Sequence, residues 1–209
     1  MDYRKLTLLL NEVLAGTHDS KFDDVLKSIH CMSRPRVYAV LNACVSAMDP
    51  GELYVEVGTY QGGSLISALL GNTARAIGVD NFSEFQQTNS KDRTRENLEK
   101  FGVSERVALL DLHYRDFFGS LPANSKIHVY NYDGEHGYEP QLAGMEAAWR
   151  FLVPGALILV DDLIYPEVIR AVNQFISNHI ESVKIKFVML PNQNTDDVWW
   201  NGVCVLQVI

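Results

Sequence analysis

Leu53-Tyr54-Val55-Glu56-Val57-Gly58-Thr59-Tyr60-Gln61-Gly62-Gly63-Ser64 is the stretch that decides the fold. Leu53 to Val57 is a short β-rich run. It leads directly into a glycine turn, and a helix is predicted from about Gly63 to Leu70. A strand, a glycine turn and a helix start together form a cofactor cradle. Glycine lets the backbone turn sharply and approach a ligand closely, and the free N–H groups of a helix start favour an anion. A dinucleotide fingerprint needs glycine two positions after its first. Here that position is Tyr60, whose phenol would crowd a pyrophosphate.

The loop therefore suits a ligand that lacks phosphate but carries a carboxylate, an amine and a ribose. S-adenosylmethionine (SAM) is such a ligand. Glu56 supplies a carboxylate at the strand end for its ammonium, directly or through water. Gly58, Tyr60, Gly62, Gly63 and Ser64 are the remaining candidates on this loop. A second strand, Ala76 to Val79, ends at Asp80, where an acid can accept hydrogen bonds from both ribose hydroxyls. An NAD enzyme would use the same acid, so Asp80 alone does not discriminate. Asn81 and Phe82 follow it and could line an adenine pocket.

Further along, strands alternate with helices. A polar loop, Ser83 to Ser90, could act as a lid. It leads to a helix over about Lys91 to Phe101. Val107 to Leu110 and Ile127 to Tyr132 read as strands three and four. Glu139 to Leu152 reads as a helix. Ala156 to Val160 is apolar throughout, as a strand covered on both faces should be. Pro166 opens a helix with Val168, Ile169, Val172, Phe175, Ile176 and Ile180 at helical spacing. Val183 to Leu190 and Val203 to Val208 have no helix between them and can pair antiparallel. Repeated β-α units imply an open, mostly parallel, Rossmann-like α/β sheet with helices on both faces. Functional residues are then expected at the carboxyl ends of strands one, two, four and five.

Residues 1–50 read as a helical N-terminal extension and 51–209 as the Rossmann-like core of a single domain. Within the extension, Pro35 suits a first helical turn and Asp49-Pro50-Gly51 stops the helix. Val37, Val40, Leu41, Cys44, Val45 and Met48 form an apolar stripe. The amphipathic helices here could cover the active site or form a homo-oligomer surface.

The 209 residues carry 18 basic and 26 acidic side chains, a net charge of −8. That balance disfavours nucleic acid or an anionic membrane as the main partner. Cys31, Cys44 and Cys204 are scattered and form no C-x-x-C pair, so they read as reduced thiols of a cytoplasmic protein. No secretory pattern or membrane-length apolar run is evident. His18, His30, His128 and His179 lack supporting context and read as structural. Trp199 and Trp200 precede the last strand; packing accounts for at least one, and the other could wall an acceptor pocket.

From about Gly51 onward the chain resembles the class I SAM-dependent methyltransferases. The resemblance rests on the glycine loop quoted above, Gly78-Val79-Asp80 and Gly155-Ala156-Leu157-Ile158-Leu159-Val160-Asp161-Asp162 in that order. It implies a seven-stranded sheet with an antiparallel last strand. Asp133-Gly134-Glu135-His136-Gly137-Tyr138-Glu139 resembles the segment after strand four in the macrocin O-methyltransferase-like group. Asp133 with Asp161-Asp162 also resembles the metal-dependent catechol-type O-methyltransferases, in which an Asp and an Asp-Asn pair bind magnesium. Asp162 stands where those enzymes have Asn, and His136 stands where they have a lysine base. The Gly-Asp or Gly-Asn often found near the adenine after strand three is absent. Asp111 or His113 could take that role.

Three carboxylates converging at Asp133, Asp161 and Asp162 would repel one another without a cation, and hard oxygen ligands suit Mg²⁺. Asp133 is thus a candidate for both metal and cofactor contact, and His136 for general base. The expected activity is O-methylation of a small hydroxylated acceptor, such as a sugar-bearing natural product or a vicinal diol, assisted by a divalent metal. The alternatives are a metal-independent transfer to nitrogen or another atom, and a silent SAM-binding module.

Overall fold

The computed structural model describes residues 1–17, 19–84, 86–190, 199 and 201–209. His18, Phe85, residues 191–198 and Trp200 lie outside the described residues, so the readings of His18, of Trp200 and of part of the 83–90 loop are not addressed below.

Fifteen elements position the site. Three helices come first: α1 (Tyr3–Leu14), α2 (Asp23–Ser28) and α3 (Pro35–Ser46). The alternating part follows as β1 (Leu53–Val57), α4 (Gly63–Leu69), β2 (Arg75–Asp80), α5 (Ser90–Lys100), β3 (Val107–Asp111) and α6 (Tyr114–Ser120). It continues with β4 (Ile127–Tyr132), α7 (Tyr138–Trp149), β5 (Leu152–Asp161), α8 (Pro166–Asn178), β6 (Val183–Met189) and β7 (Val203–Val208).

The strands form one seven-stranded sheet in the order β3-β2-β1-β4-β5-β7-β6. β1 pairs in parallel with both β2 and β4, and β4 with β5. β7 runs antiparallel to β5 on one side and β6 on the other. The mostly parallel sheet with an antiparallel last strand is the arrangement expected from the sequence. The chain steps outward from β1 to β3 and then returns to the other side of β1 at β4. That reversal opens a crevice beyond the carboxyl ends of β1 and β4, where ligands of open α/β sheets bind.

Alternation along the central strands sorts their side chains to two cores. Tyr54, Val129, Leu157, Leu159 and Val205 pack with α1 to α5. Val55, Val57, Tyr130, Ile158, Val160 and Leu206 pack with α6, α7 and α8. Both faces are covered, which is why β4 and β5 are apolar at successive positions rather than at every second one.

Two expectations about elements are corrected. The helix read to Leu152 ends at Trp149, because Leu152 already pairs with Ile127 and β5 starts there. The segment after Asp111, read without a helix, forms α6; the His113 ring accepts a bond from the Arg115 N–H at its start, and Phe117 and Phe118 are buried beneath it. Among the described residues, no helix is long and apolar enough to cross a membrane.

Candidate active site

Gly58 sits at the crevice, with φ of +85°, and a Cβ there would lie 1.8 Å from the Asp133 carbonyl oxygen. Only glycine permits both the left-handed backbone and this approach of the β1 loop to the end of β4. Gly63 plays a related part. A Cβ on it would meet Cys31 Sγ at 2.7 Å and Tyr38 Oη at 2.8 Å, so its absence lets the N-terminal region close on the start of α4.

Asp80 holds the loop in shape. One carboxylate oxygen accepts from the N–H groups of Thr59 at 2.8 Å and Tyr60 at 2.9 Å. The other accepts from the Phe82 N–H at 2.7 Å. Tyr60 and Phe82 are non-glycine residues with φ of 46° and 50°. Left-handed backbone at such residues persists only where neighbours hold it, and the Asp80 carboxylate does so for both.

These residues border a cavity of about 580 Å³. Gly58, Tyr60, Gly63, Ser64, Asp80, Asn81, Phe82, His113, Asp133, His136 and Asp161 all line it. Its volume is in the range of small-molecule and cofactor sites. Three expected cofactor contacts lie elsewhere. Gly62 packs against Thr94, to which a Cβ would come within 3.2 Å. Asp111 is exposed and paired with Lys91 at 2.6 Å, outside the cavity, whereas His113 is at the wall. Glu56 lies fully buried behind the loop.

The Glu56 carboxylate accepts from the Tyr54 hydroxyl, from Ser64 Oγ at 2.7 Å and from Asn131 Nδ2 at 3.3 Å. Burial pushes its pKa up to about 7, against the opposing effect of those donors. It ties the start of α4 to β4. Asn131 was not singled out from the sequence, although a polar residue inside the run Val129-Tyr130-Asn131-Tyr132 is the kind of signal that could have marked it.

At the ends of β4 and β5 the carboxyl groups crowd. Asp133 and Asp161 are hydrogen-bonded through their side chains. Burial, and then the Asp162 charge, raises Asp133 to about 7. Asp161 is raised well above the carboxylate range by burial and by Asp133. Asp162 adopts φ of 57°, and its side chain turns toward His136, with Nε2 at 3.1 Å, and accepts from Asn201 Nδ2. The Tyr165 ring stacks on the His136 imidazole, with centroids 5.6 Å apart and planes at 12°. Asp133, His136 and Asp162 each bring a ligand atom within 4.8 Å of the others. The trio within reach of one ion thus includes His136, whereas Asp161 is bound to Asp133.

The N-terminal extension supplies a wall of the cavity, as one of the two expectations for its helices had it, though none of the residues concerned was singled out as a site residue. His30, Met32, Val37, Tyr38 and Leu41 line the cavity, and Tyr60 Oη lies 3.1 Å from His30 Nδ1. His30, read as structural, is therefore at the site. No local pattern marks it, because its position depends on how α3 docks. Trp199 is buried against Phe187, as packing requires.

Residues 55–163 match the family model described as a methyltransferase domain. The chain belongs to the methyltransferase domain family. That span runs from the glycine strand through Asp161 and Asp162, so it holds the glycine loop and the carboxyl cluster, while the N-terminal wall and Val203 lie outside it. No curated protein sequence matches the chain. Solved methyltransferase structures share the fold. An O-methyltransferase candidate from Klebsiella pneumoniae aligns with a TM-score of 0.65 at 19% identity, over 96% of this chain and 89% of that one. An O-methyltransferase from Bacillus cereus in complex with S-adenosylhomocysteine (SAH) gives 0.59 at 17%, over 91% of each chain. An SAH-bound methyltransferase from Podospora anserina gives 0.63 at 14%, over 90% and 86%. The protein is a class I SAM-dependent methyltransferase with an O-methyltransferase-like fold.

Proposed function

We propose that this methyltransferase binds SAM along the glycine loop and methylates a hydroxyl oxygen of a small acceptor held beside Asp133 and His136. The observation that carries the reading is that His136, Asp133 and Asp161 line the same cavity as Gly58 and Asp80. The residues fit the cofactor: Gly58 lets the β1 loop close on the end of β4, where any Cβ would clash, and so shapes the cavity, and a carboxyl-rich wall suits a cationic ligand. SAM supplies an electrophilic methyl group on a positive sulfur. The new O–C bond forms as the S–C bond breaks, and the hydroxyl proton must leave to a base. His136 takes that proton. Tyr165 stacks on its ring and Asp162 contacts Nε2, so the imidazole is oriented before the acceptor arrives.

The donor set also fits a divalent ion. Asp133 and Asp162 would hold it, with Asp161 supporting Asp133 from behind, and it would lower the pKa of a bound hydroxyl. One observation favours a metal-independent second reading: both Asp162 oxygens already have partners, His136 on one and Asn201 on the other.

Turnover of SAM on an acceptor identified by screening, with and without EDTA, separates the two. The metal-assisted reading predicts loss of activity on chelation and recovery with Mg²⁺; unchanged turnover selects the metal-independent one. In the same assay His136→Gln is expected to lower turnover by roughly 10²–10⁴-fold, the usual contribution of a positioned base, with SAH affinity nearly intact. A variant with near-normal turnover, or one that loses SAH binding instead, would remove His136 from the role of base.

A further inference from the structure

Two hydrogen-bond donors on the N-terminal wall of the cavity are left without acceptors. Ser33 is 6% exposed and lines the cavity, yet its hydroxyl has no partner. Val37 lines the cavity as the third residue of α3, and no acceptor meets its N–H. We propose that Ser33 Oγ and the Val37 N–H hold the carboxylate at the methionine end of the cofactor. This rests on the SAM reading above and adds to it a contact from the N-terminal extension.

The sequence Ser33-Arg34-Pro35 builds this pair. Arg34 caps α3 in extended backbone, with φ of −125° and ψ of 159°, and makes no side-chain capping bond. Pro35 follows it and has no N–H. The first bond of the helix runs from the Tyr38 N–H to the Arg34 carbonyl at 3.3 Å, which leaves the Val37 N–H over. A helix start favours an anion, but water can satisfy one that stands alone. Ser33 makes the difference. Buried polar groups are nearly always paired, and this hydroxyl is unpaired in the wall of a ligand cavity. A serine hydroxyl turns about a single χ1 bond among staggered positions, so Oγ can swing to an acceptor in the cavity.

Position and charge select the carboxylate. Cys31 Sγ and Tyr38 Oη close on Gly63, where a Cβ would meet them at 2.7 and 2.8 Å. Ser33 and Val37 lie between these two in the chain and so stand over the glycine-loop end of the cavity. The charges of Asp133 and Glu56 are felt at Tyr38, which sets the same end. Among the described residues no lysine or arginine lines the cavity, and residues 18, 85, 191–198 and 200 contain none. A carboxylate bound here therefore needs neutral donors. On the glycine loop, the Gly58 and Gly62 N–H groups go to backbone carbonyls, those of Thr59 and Tyr60 to Asp80, and Ser64 Oγ to Glu56. Ser33 Oγ and the Val37 N–H are still available on the facing wall.

The test is isothermal titration of the full chain and of Ser33→Ala with two ligands: SAH, and decarboxylated SAH, which lacks only the carboxylate. The wild type should bind SAH roughly tenfold or more tightly than the decarboxylated ligand, the scale of hydrogen bonds to a charged group. Ser33→Ala should weaken SAH by about tenfold and leave the decarboxylated ligand unchanged. Its thermal midpoint without ligand should hold or rise, because alanine removes a buried hydroxyl that has no partner. An equal loss for both ligands would make Ser33 a residue that shapes the wall and would overturn the inference. Unchanged SAH affinity in Ser33→Ala, or a wild type indifferent to the carboxylate, would overturn it as well and leave the SAM reading standing. If the wild type binds neither ligand, the SAM reading falls and this contact falls with it.

Discussion

Asp80 and Asp133 are both aspartates at the carboxyl ends of strands flanking β1, and both line the same cavity, yet their surroundings differ in kind. Asp80 is surrounded by donors: the N–H groups of Thr59, Tyr60 and Phe82 converge on it. Asp133 is surrounded by acids: Asp161 is bonded to it, and Asp162 and Glu56 push its pKa up through their charge. The first carboxylate is an organising element, complete in the free protein. The second belongs to a cluster whose charges oppose one another until a proton or a cation enters. The Asp80 side of the cavity is therefore built by backbone hydrogen bonds, and the Asp133 side is left electrostatically unfulfilled. On the proposed function, the first would face a fixed cofactor and the second a variable acceptor.

The largest effect that could break this comparison lies at their junction. Gly58→Ala would place a methyl group 1.8 Å from the Asp133 carbonyl oxygen on a backbone with φ of +85°. Strain and overpacking together should destabilise the fold by about 3 kcal/mol or more, read by urea denaturation. A variant close to wild type in stability would mean that the loop and β4 do not approach as described.

The acidic half should show itself in the pH dependence of stability. Glu56 titrates near 4.5 in an unfolded chain and at about 7 when buried. The unfolded state therefore releases its proton first as pH rises. The resulting penalty on folding is absent below about 4.5, grows between about 4.5 and 7 and is constant above. Alone it amounts to about 3 kcal/mol, and the raised Asp133 acts in the same direction. Unfolding free energies at pH 5 and pH 8, without metal or cofactor, should thus be lower at pH 8. A smaller change is expected from Asp161→Asn, which keeps the shape and a donor toward Asp133 without requiring a bound proton. It should flatten the slope and raise stability at pH 8 by roughly 1–2 kcal/mol. A steeper slope, or a loss of stability at pH 8, would show that Asp161 is stabilised as a carboxylate.

The two halves also differed in how legible they were from sequence. The glycine loop, Asp80 and the alternation of strands with helices follow from local pattern, because a β-strand, a turn and a helix start are set by residues adjacent in the chain. The direction of β7 followed from the missing helix between β6 and β7. The acidic half was legible as composition but not as contacts. Nothing in Asp161-Asp162 says that one side chain turns to Asp133 and the other to His136, since alternation along a strand end and the left-handed backbone at Asp162 decide it. Asp111 and Asp80 face each other in register on β3 and β2, but Lys91 on α5 draws Asp111 outward. His30, Tyr38 and Leu41 were invisible as site residues because they reach the cavity through tertiary packing of α3 on α4.

The central claim is that the loop completed by Asp80 is a SAM site and not a dinucleotide site. Isothermal titration of the protein with SAH and with NAD⁺, repeated on Asp80→Ala, tests it most directly. The account predicts that SAH binds in preference to NAD⁺, and that Asp80→Ala weakens SAH by roughly 1–3 kcal/mol, the scale of lost hydrogen bonds to a charged group. Tighter binding of NAD⁺ than of SAH, or SAH binding unaffected by Asp80→Ala, would contradict it.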